Sequence, residues 1–343
     1  MMDAKPAFRI GGEEVAPGER RSVDLHVSVL SNHTPMSLPV QVVHGRRPGP
    51  CLFISGVVHG DEVMGVEVVR RVLGHQAMNE LSGTLLAVPI VNAYGLISHS
   101  RYMPDRRDLN RSFPGSDHGS LASILADLLM REVVLRCNYG IDIHSAALHR
   151  TNLPQIRISP GDKDLLMLAE TFGAPVVLVS KLREGTLRQC ALARGVKVLV
   201  YEGGEALRFD EEAIQAAVNG IFAVVHRIGM LEKPVTPFQP KQPTVSYSSY
   251  WLRAPEGGIF RSERRIGHWI ARGERIGVIS DPLGKLEVPV MAGEGGIIIG
   301  QSHLPVVNRG DAVFHIAKAK QPQDAAAPDA EQLSPLFDED EII

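Results

Sequence analysis

Short apolar runs alternate with helical patterns through the middle of the chain, from about Pro50 to Gly229. Runs such as CLFISGVV, TLLAVPIVN and VKVLVYE are nearly continuous in apolar residues, and amphipathic stretches such as EVMGVEVVRRVLGHQ separate them. Strands that are apolar on both faces are buried between helices, as in a mostly parallel sheet. The alternation therefore predicts an α/β fold with a mixed, mostly parallel sheet flanked by helices. The preceding segments SVDLHVSVL and LPVQVVHG alternate like strands, and they either extend this sheet or form an edge hairpin.

The pattern changes after the segment EKPVTPFQPKQPT, whose four prolines disfavour a regular helix or a central strand. Beyond it, short strand-like segments separated by glycine turns predict a small C-terminal β-domain of the barrel or sandwich type. We therefore expect an α/β domain at residues 1–232, a linker at 233–244 and a β-domain at 245–318. The remaining residues, 319–343, are rich in Ala, Pro and acidic side chains, which predicts a disordered tail.

Composition narrows the range of partners and compartments. The 343 residues carry a formal net charge of -3, and the basic clusters are isolated pairs such as Arg70-Arg71, so nucleic acid is not an expected partner. No apolar run approaches the roughly twenty residues of a membrane-spanning helix, and the N-terminus lacks the apolar core of a secretory signal. Three cysteines without a CxxC pair indicate a reducing cytoplasm. The sequence leaves the oligomeric state open, and a homo-oligomer is one of the states that it allows.

His59 and Glu62 stand three residues apart in VVHGDEVMG, in the turn between an apolar run and the next helical pattern. This spacing lets both side chains reach one metal ion. His144 ends another apolar run, in YGIDIHSA, and is the third candidate ligand. Two histidines and one glutamate are the ligands of a catalytic zinc that keeps one position open for water. The sequence therefore predicts one Zn²⁺ per chain, bound by these three residues.

Glu202 follows the apolar run VKVLVY and is predicted to stand at the carboxyl end of its strand, as is His144. Ligands of open α/β sheets bind at these strand ends. We therefore assign Glu202 as the general base and acid, which takes a proton from water and delivers it to the leaving nitrogen. Glu205 is the less favoured candidate for that role. Asp142 lies two residues before His144 on the same strand face, and it is expected to hydrogen-bond the ligand imidazole.

The loop SRYMPDRRDLNRSFPG holds four arginines and one asparagine, with little apolar content to explain it as core. Arginine forks bind carboxylates bidentately and stabilise a developing oxyanion. Asn110 and Arg111 are therefore assigned to a substrate carboxylate, and Arg101 to polarising the scissile carbonyl. Arg106 and Arg107 are alternatives for the role of Arg101, although a solvated salt-bridge network explains these two equally well.

Four motifs in this order, HGDE, DLNRSFPG, DIHS and YEGGE, resemble the aspartoacylase and succinylglutamate desuccinylase family, a branch of the zinc carboxypeptidase fold. The resemblance covers roughly Leu52 to Val225, and the four motifs together are far more specific than any one of them. It implies a zinc carboxypeptidase-like sheet, and it implies the zinc ligands and the general base named above. It also implies that Asn110 and Arg111 bind a substrate carboxylate.

Two further segments carry resemblances. HRTNLPQIR is similar to members of the same family, which implies that Arg150, with Asn152 and Arg157, contributes to the substrate pocket. APEGGIF and VPVMAGEGGIIIG resemble the two halves of the barrel-sandwich fold of lipoyl and biotinyl carrier domains. Lys285 lies at about the distance from Gly296 where a carrier lysine would be. Its context, PLGKLE, lacks the usual carrier-tip residues, so lipoylation or biotinylation is not expected.

These observations favour a cytoplasmic zinc-dependent amidohydrolase that removes an acyl group from the nitrogen of an acylated amino acid or a related small carboxylate. A metallocarboxypeptidase acting on short peptides would use the same metal chemistry. A non-catalytic binding or assembly protein with a vestigial zinc site is the third hypothesis, and intact candidates for every catalytic role argue against it. The sequence does not identify the acyl group, the amino acid or the function of the β-domain.

Overall fold

The computed structural model describes residues 5–235 and 242–320. Its α-helices are α1 (Met64–Gly74), α2 (Ala93–Ser98), α3 (Leu121–Glu132), α4 (Lys163–Phe172), α5 (Leu187–Leu192) and α6 (Glu211–Arg227). Short 3-10 helices span Gln76–Glu80, Leu109–Arg111 and Val134–Arg136. No helix in these two ranges is long and apolar enough to cross a membrane.

The strands fall into an N-terminal and a C-terminal series. The first series is β1 (Phe8–Ile10), β2 (Glu13–Val15), β3 (Arg20–Val29), β4 (Pro35–His44), β5 (Arg47–Gly56), β6 (Ser82–Val88), β7 (Tyr139–Ala146), β8 (Arg150–Ile158), β9 (Val176–Val179) and β10 (Lys197–Glu205). The second series is β11 (Thr244–Ser246), β12 (Ser249–Arg253), β13 (Gly258–Ser262), β14 (Trp269–Ile270), β15 (Arg275–Ser280), β16 (Glu287–Met291), β17 (Gly296–Ser302), β18 (Val306–Val307) and β19 (Ala312–Lys318).

The main sheet follows the order β12-β19-β17-β8-β10-β7-β5-β6-β4-β3, and β9, β11 and β14 pair onto this path. The central strands β10, β7, β5 and β6 are parallel neighbours. β4 and β3 continue the sheet as antiparallel strands. The predicted mixed α/β sheet is therefore confirmed, and the two segments before Pro50 extend it as an antiparallel pair.

Side chains on the central strands alternate between the two faces of the sheet. On β7, Ile141 and Ile143 join the buried core that α1, α4 and α6 cover. The alternation turns Asp142 and His144 toward the opposite face. Leu125 of α3 belongs to a second buried core, which also includes residues of α5. Helices thus flank the sheet on both faces, and β7 directs its polar residues away from the larger core.

The C-terminal strands are divided between the main sheet and a second sheet. β17 pairs antiparallel with β8, where Gly300 lies opposite Asn152, and β11 pairs parallel with β9. β16, β15, β13 and β18 form a four-stranded sheet of their own. Phe260 of β13 and Phe314 of β19 belong to one buried core between these strands. The strand-rich C-terminal region is confirmed, and it shares one hydrogen-bonded sheet with the α/β region.

The domain limits stay a prediction, because hydrogen bonding between strands continues across the predicted boundary. Residues 236–241 of the predicted linker lie outside the described residues. The predicted disordered tail, 319–343, also lies outside them from residue 321 onward. Lys285 is exposed in the loop between β15 and β16.

Gly220, in the middle of α6, tests how tightly the larger core is packed. A Cβ on Gly220 would lie 2.2 Å from two carbon atoms of the Phe172 ring. We expect Gly220→Ala to lower the free energy of unfolding, because overpacking costs about 1–3 kcal/mol and exceeds the gain in helix propensity of roughly 1 kcal/mol. Gly74→Ala is the matched control, since Gly74 has open space around a Cβ at the end of α1. Urea unfolding should show the control as stable as the wild type or more stable, whereas an equally stable Gly220→Ala variant would contradict this packing.

Candidate metal centre and active site

Polar residues collect where three parallel strands end. β5 ends at Gly56, and His59 and Glu62 lie in the loop that leads from it to α1. His144 lies near the end of β7, and Glu202 of β10 is its partner in the parallel register. Because parallel strands end at one edge of a sheet, these side chains meet in the crevice outside that edge.

The loop after β5 is held against the segment that follows α2. A Cβ on Gly60 would lie 2.0 Å from the backbone of Gly95, so only glycine allows this approach. The Gly60 N–H donates to the carbonyl oxygen of Arg101 at 3.4 Å. The side-chain amide of Asn92 donates to the same oxygen at 3.3 Å. These contacts place Arg101 beside the loop that carries His59 and Glu62.

His59, Glu62 and His144 form a compact group of buried side chains whose candidate ligand atoms all lie within 4.8 Å of one another. The two Glu62 oxygens lie 2.7 Å from His59 Nδ1 and 2.8 Å from His144 Nδ1. The two Nδ1 atoms are 3.3 Å apart. One nitrogen from each histidine and the carboxylate therefore converge on a single point.

The other nitrogen of each histidine faces a second carboxylate. His144 Nε2 lies 2.8 Å from Asp142 Oδ2, and the Ser55 hydroxyl donates to Asp142 Oδ1 at 2.7 Å. His59 Nε2 lies 3.2 Å from Asp108 Oδ1. Carboxylates in these positions fix the orientation of ligand imidazoles and raise their basicity. The sequence predicted this contact for Asp142, but it did not single out Asp108 in the DLNR motif.

The electrostatics of the group favour positive charge on or between the two histidines. Burial alone would raise the pKa of Glu62, but the charges and hydrogen bonds of His59 and His144 hold that pKa well below its usual range. Burial would likewise lower the pKa of His144, whereas the charges of Asp142 and Glu62 raise it well above its usual value. An anionic carboxylate at this depth needs a compensating positive charge.

The donor set fits zinc. Two imidazole nitrogens and one carboxylate oxygen match the ligands of catalytic zinc sites that keep a fourth position open. His144 supplies its nitrogen from β7, and His59 and Glu62 supply their atoms from the loop between β5 and α1. All three side chains are buried.

A cavity of about 190 Å³ opens beside the three candidate ligands. All nine residues that the sequence assigned to the site line it: His59, Glu62, Arg101, Asn110, Arg111, Asp142, His144, Arg150 and Glu202. Asn152 and Arg157 line it as well. The structure therefore brings the predicted site residues together, while their individual roles remain predictions.

Glu202 faces this cavity from β10, whereas Glu205 does not line it. The side-chain amide of Asn152 donates to Glu202 Oε2 at 3.1 Å, and Arg157 Nε lies 3.8 Å from Oε1. Glu205 instead accepts the His149 N–H at 3.1 Å, and it pairs with an arginine at the surface. The geometry favours Glu202 over Glu205 as a group that reaches a bound substrate.

The arginines of the predicted substrate loop take different positions. Arg101 Nε and Nη2 donate to Asp108 Oδ2 at 3.1 and 2.9 Å, and Arg101 Nη1 lies 3.5 Å from Glu62 Oε1. Arg106 and Arg107 are exposed and do not line the cavity. The guanidinium beside the candidate metal ligands is therefore that of Arg101.

Asn110 and Arg111 lie in the short 3-10 helix that closes one side of the cavity. The side-chain oxygen Oδ1 of Asn110 accepts the Leu187 N–H at 3.0 Å, which ties this turn to α5. Arg111 Nη1 donates to the backbone oxygen of Asn110 at 2.6 Å. These bonds hold the two side chains at the wall of the cavity.

Several lining residues come from segments that the sequence did not connect with the site. Arg183 enters from the segment between β9 and α5, and Arg188 from the first turn of α5, which gives the cavity six arginines in all. Trp251 enters from β12 of the C-terminal region. Its ring stacks on His315 at a centroid distance of 4.5 Å, and the Arg150 guanidinium lies 5.5 Å from its centroid. YWLRAP indicated only a strand, because the pattern does not show which strands become neighbours.

Comparison with known proteins identifies relatives of this chain. The catalytic-domain model of the succinylglutamate desuccinylase/aspartoacylase family matches residues 48–228. N-alpha-acetyl-L-2,4-diaminobutyric acid deacetylase from Halomonas elongata is 25% identical over 295 residues, which cover 82% of this chain and 85% of that protein.

Two solved structures have a similar fold. The succinylglutamate desuccinylase/aspartoacylase from Rhodobacter sphaeroides has a TM-score of 0.77 and 24% identity, over 88% of this chain and 96% of that one. The product-bound ectoine utilization protein EutE (DoeB) from Ruegeria pomeroyi has a TM-score of 0.76 and 20% identity, over 88% and 95%. The family model spans more than half of the chain, and the resemblance carried by the four motifs is thereby confirmed. The chain belongs to the succinylglutamate desuccinylase/aspartoacylase family.

Proposed function

We propose that the protein is a zinc-dependent amidohydrolase that removes the acyl group from a small N-acylated amino acid. The observation that carries this proposal is the convergence of His59, Glu62 and His144 beside a cavity that Glu202 also lines. The three ligands would hold one zinc ion and leave a coordination position facing the cavity. When bound, zinc supplies a Lewis acid that polarises an acyl carbonyl and lowers the pKa of water.

Glu202 moves the protons in this proposal. Its carboxylate takes a proton from the attacking water and then delivers it to the departing nitrogen. The amide of Asn152, 3.1 Å from Oε2, orients the carboxylate for proton transfer. Arg101 stabilises the negative charge that develops on the carbonyl oxygen, since its guanidinium lies beside Glu62.

Arginine side chains that line the cavity recognise the free carboxylate of the substrate. We assign this role to Asn110 and Arg111, with Arg150 as a further contact, because all three line the cavity and their side chains can bind a carboxylate. An anionic substrate fits a cavity with six arginines better than a neutral one.

The size of the cavity favours a small substrate over a long peptide. Its volume of about 190 Å³ is below the roughly 300–1,000 Å³ of typical sites for drug-sized ligands. The relative from Halomonas elongata is named for deacetylating an N-acetylated amino acid, which supports the same substrate class. The three free cysteines fit the reducing cytoplasm in which we place the enzyme.

A substrate panel tests the proposal. We expect the zinc-loaded protein to release amine from one or more acetyl, succinyl or formyl amino acids, including N-alpha-acetyl-2,4-diaminobutyrate, and to act poorly on dipeptides. A chelator should abolish this turnover, and added Zn²⁺ should restore it. Preference for dipeptides would identify a metallocarboxypeptidase instead. A zinc-loaded protein without turnover on either class would favour the non-catalytic hypothesis.

Substitution of Glu202 tests the proton-transfer role. Glu202→Gln should keep bound zinc, because Glu202 is not among the proposed ligands, and should lose about 10²- to 10⁴-fold of kcat, as expected for loss of general acid–base catalysis. Glu205→Gln is the matched control, since Glu205 lies three residues further along the same strand but outside the cavity lining. Zinc content and kcat, measured for both variants, show whether Glu202 transfers the protons. Wild-type turnover by Glu202→Gln would refute the assignment.

A further inference from the structure

Asn152 lies between a strand of the α/β region and a strand of the C-terminal region. In the antiparallel pairing of β8 with β10, Asn152 is opposite Gly204. In the pairing of β8 with β17, it is opposite Gly300, and Gly300 is in turn opposite His315 of β19. Asn152 therefore lies in a row of paired residues that runs across the sheet from β10, the strand of Glu202, to β17 and β19.

The side chain of Asn152 is buried and has little room to move. Only 8% of Asn152 is exposed, and its Nδ2 donates to Glu202 Oε2 at 3.1 Å. On its other side, a Cβ on Gly300 would lie 3.1 Å from Asn152 Oδ1 and 3.1 Å from the Cβ of His315. Because glycine has no side chain, position 300 leaves the space in which the Asn152 amide lies.

We propose that the C-terminal region sets the position of the general base through this contact. β17 presents Gly300 to the Asn152 amide, and the amide orients the carboxylate of Glu202 for proton transfer. Asn152 is in this view a positioning residue, and the role of Gly300 is to leave its amide undisturbed. The catalytic consequence rests on the function of Glu202 proposed above.

The physical basis is the sensitivity of proton transfer to geometry. Proton transfer by a flexible glutamate slows when its carboxylate is misplaced. A displacement of 1 Å lowers the reaction rate by up to about 100-fold. A hydrogen bond from a buried amide to a carboxylate restrains that movement and is stronger than a bond between neutral groups. A Cβ on Gly300 would displace the Asn152 amide oxygen by a few tenths of an ångström. The hydrogen bond from this amide would then displace the carboxylate of Glu202.

Asn152 also lines the cavity, so a direct contact with substrate is the competing explanation. The two explanations predict different kinetics. A substrate contact made equally in the ground state and the transition state raises KM and leaves kcat unchanged. A positioning residue lowers kcat with little change in KM. The split between the two constants therefore separates them.

Kinetics of Gly300→Ala, Asn152→Ala and the double variant provide the first test. We expect Asn152→Ala to lose about 10- to 100-fold of kcat and Gly300→Ala to lose about tenfold, with KM nearly constant. Because Gly300 acts through Asn152, the double variant should be no slower than Asn152→Ala alone. Gly293→Ala, in the same region, is the control, since the nearest atom to its Cβ is 4.0 Å away in Tyr250. Its kcat should match the wild type.

Zinc content and thermal stability of each variant identify loss of fold or metal as the cause of lower turnover. Unchanged kcat in both single variants would overturn the proposal, as would a change confined to KM. Losses that multiply in the double variant would show that Gly300 does not act through Asn152, and would overturn it as well.

Crystal structures of the wild type and Gly300→Ala provide a test that needs no substrate. The proposal predicts a displaced Asn152 amide and a changed Glu202 carboxylate position in the variant. Identical positions of both groups would overturn it. A wild-type protein without turnover on any N-acyl amino acid would refute the proposed function, and the structures would still decide the positioning by Gly300 and Asn152.

Discussion

The parallel register of β5, β7 and β10 is the constraint on which the site depends. Ser55 lies opposite Asp142, and His144 opposite Glu202, so two adjacent strand pairs deliver their polar residues to one edge. The alternation of side chains on each strand then separates core from site, because Ile143 packs against the helices while its neighbour His144 faces the cavity. A shift of β7 by one residue would exchange these two environments.

Charge imposes the second constraint. Glu62 is buried between two histidines, and each histidine is backed by a further carboxylate, Asp142 or Asp108. Such an arrangement needs positive charge among the carboxylates, and we interpret it as a metal centre because two imidazole nitrogens and a carboxylate oxygen converge there. Six arginines also line the cavity, and their positive charge suits an anionic substrate.

The strand-end residues of the site could be predicted because local order fixes them. His59, His144 and Glu202 follow apolar runs, and strand ends in such sheets meet at one edge, so their proximity followed from pattern alone. The contact of Asp108 with His59 depends on the path of a loop, and the entry of Trp251 depends on which strands pair across the chain. Neither can be derived from periodicity. The Pro-rich segment indicated a domain boundary. Because periodicity does not show which strands pair, the pairing of β17 with β8 across that boundary was not predicted.

Anomalous scattering at the zinc absorption edge, measured on crystals of the purified protein, shows directly whether the buried group binds zinc. We expect a single strong peak within about 2.0–2.2 Å of one nitrogen of His59, one nitrogen of His144 and a Glu62 oxygen. No peak at this position after incubation with Zn²⁺, or a peak bound by other residues, would contradict it.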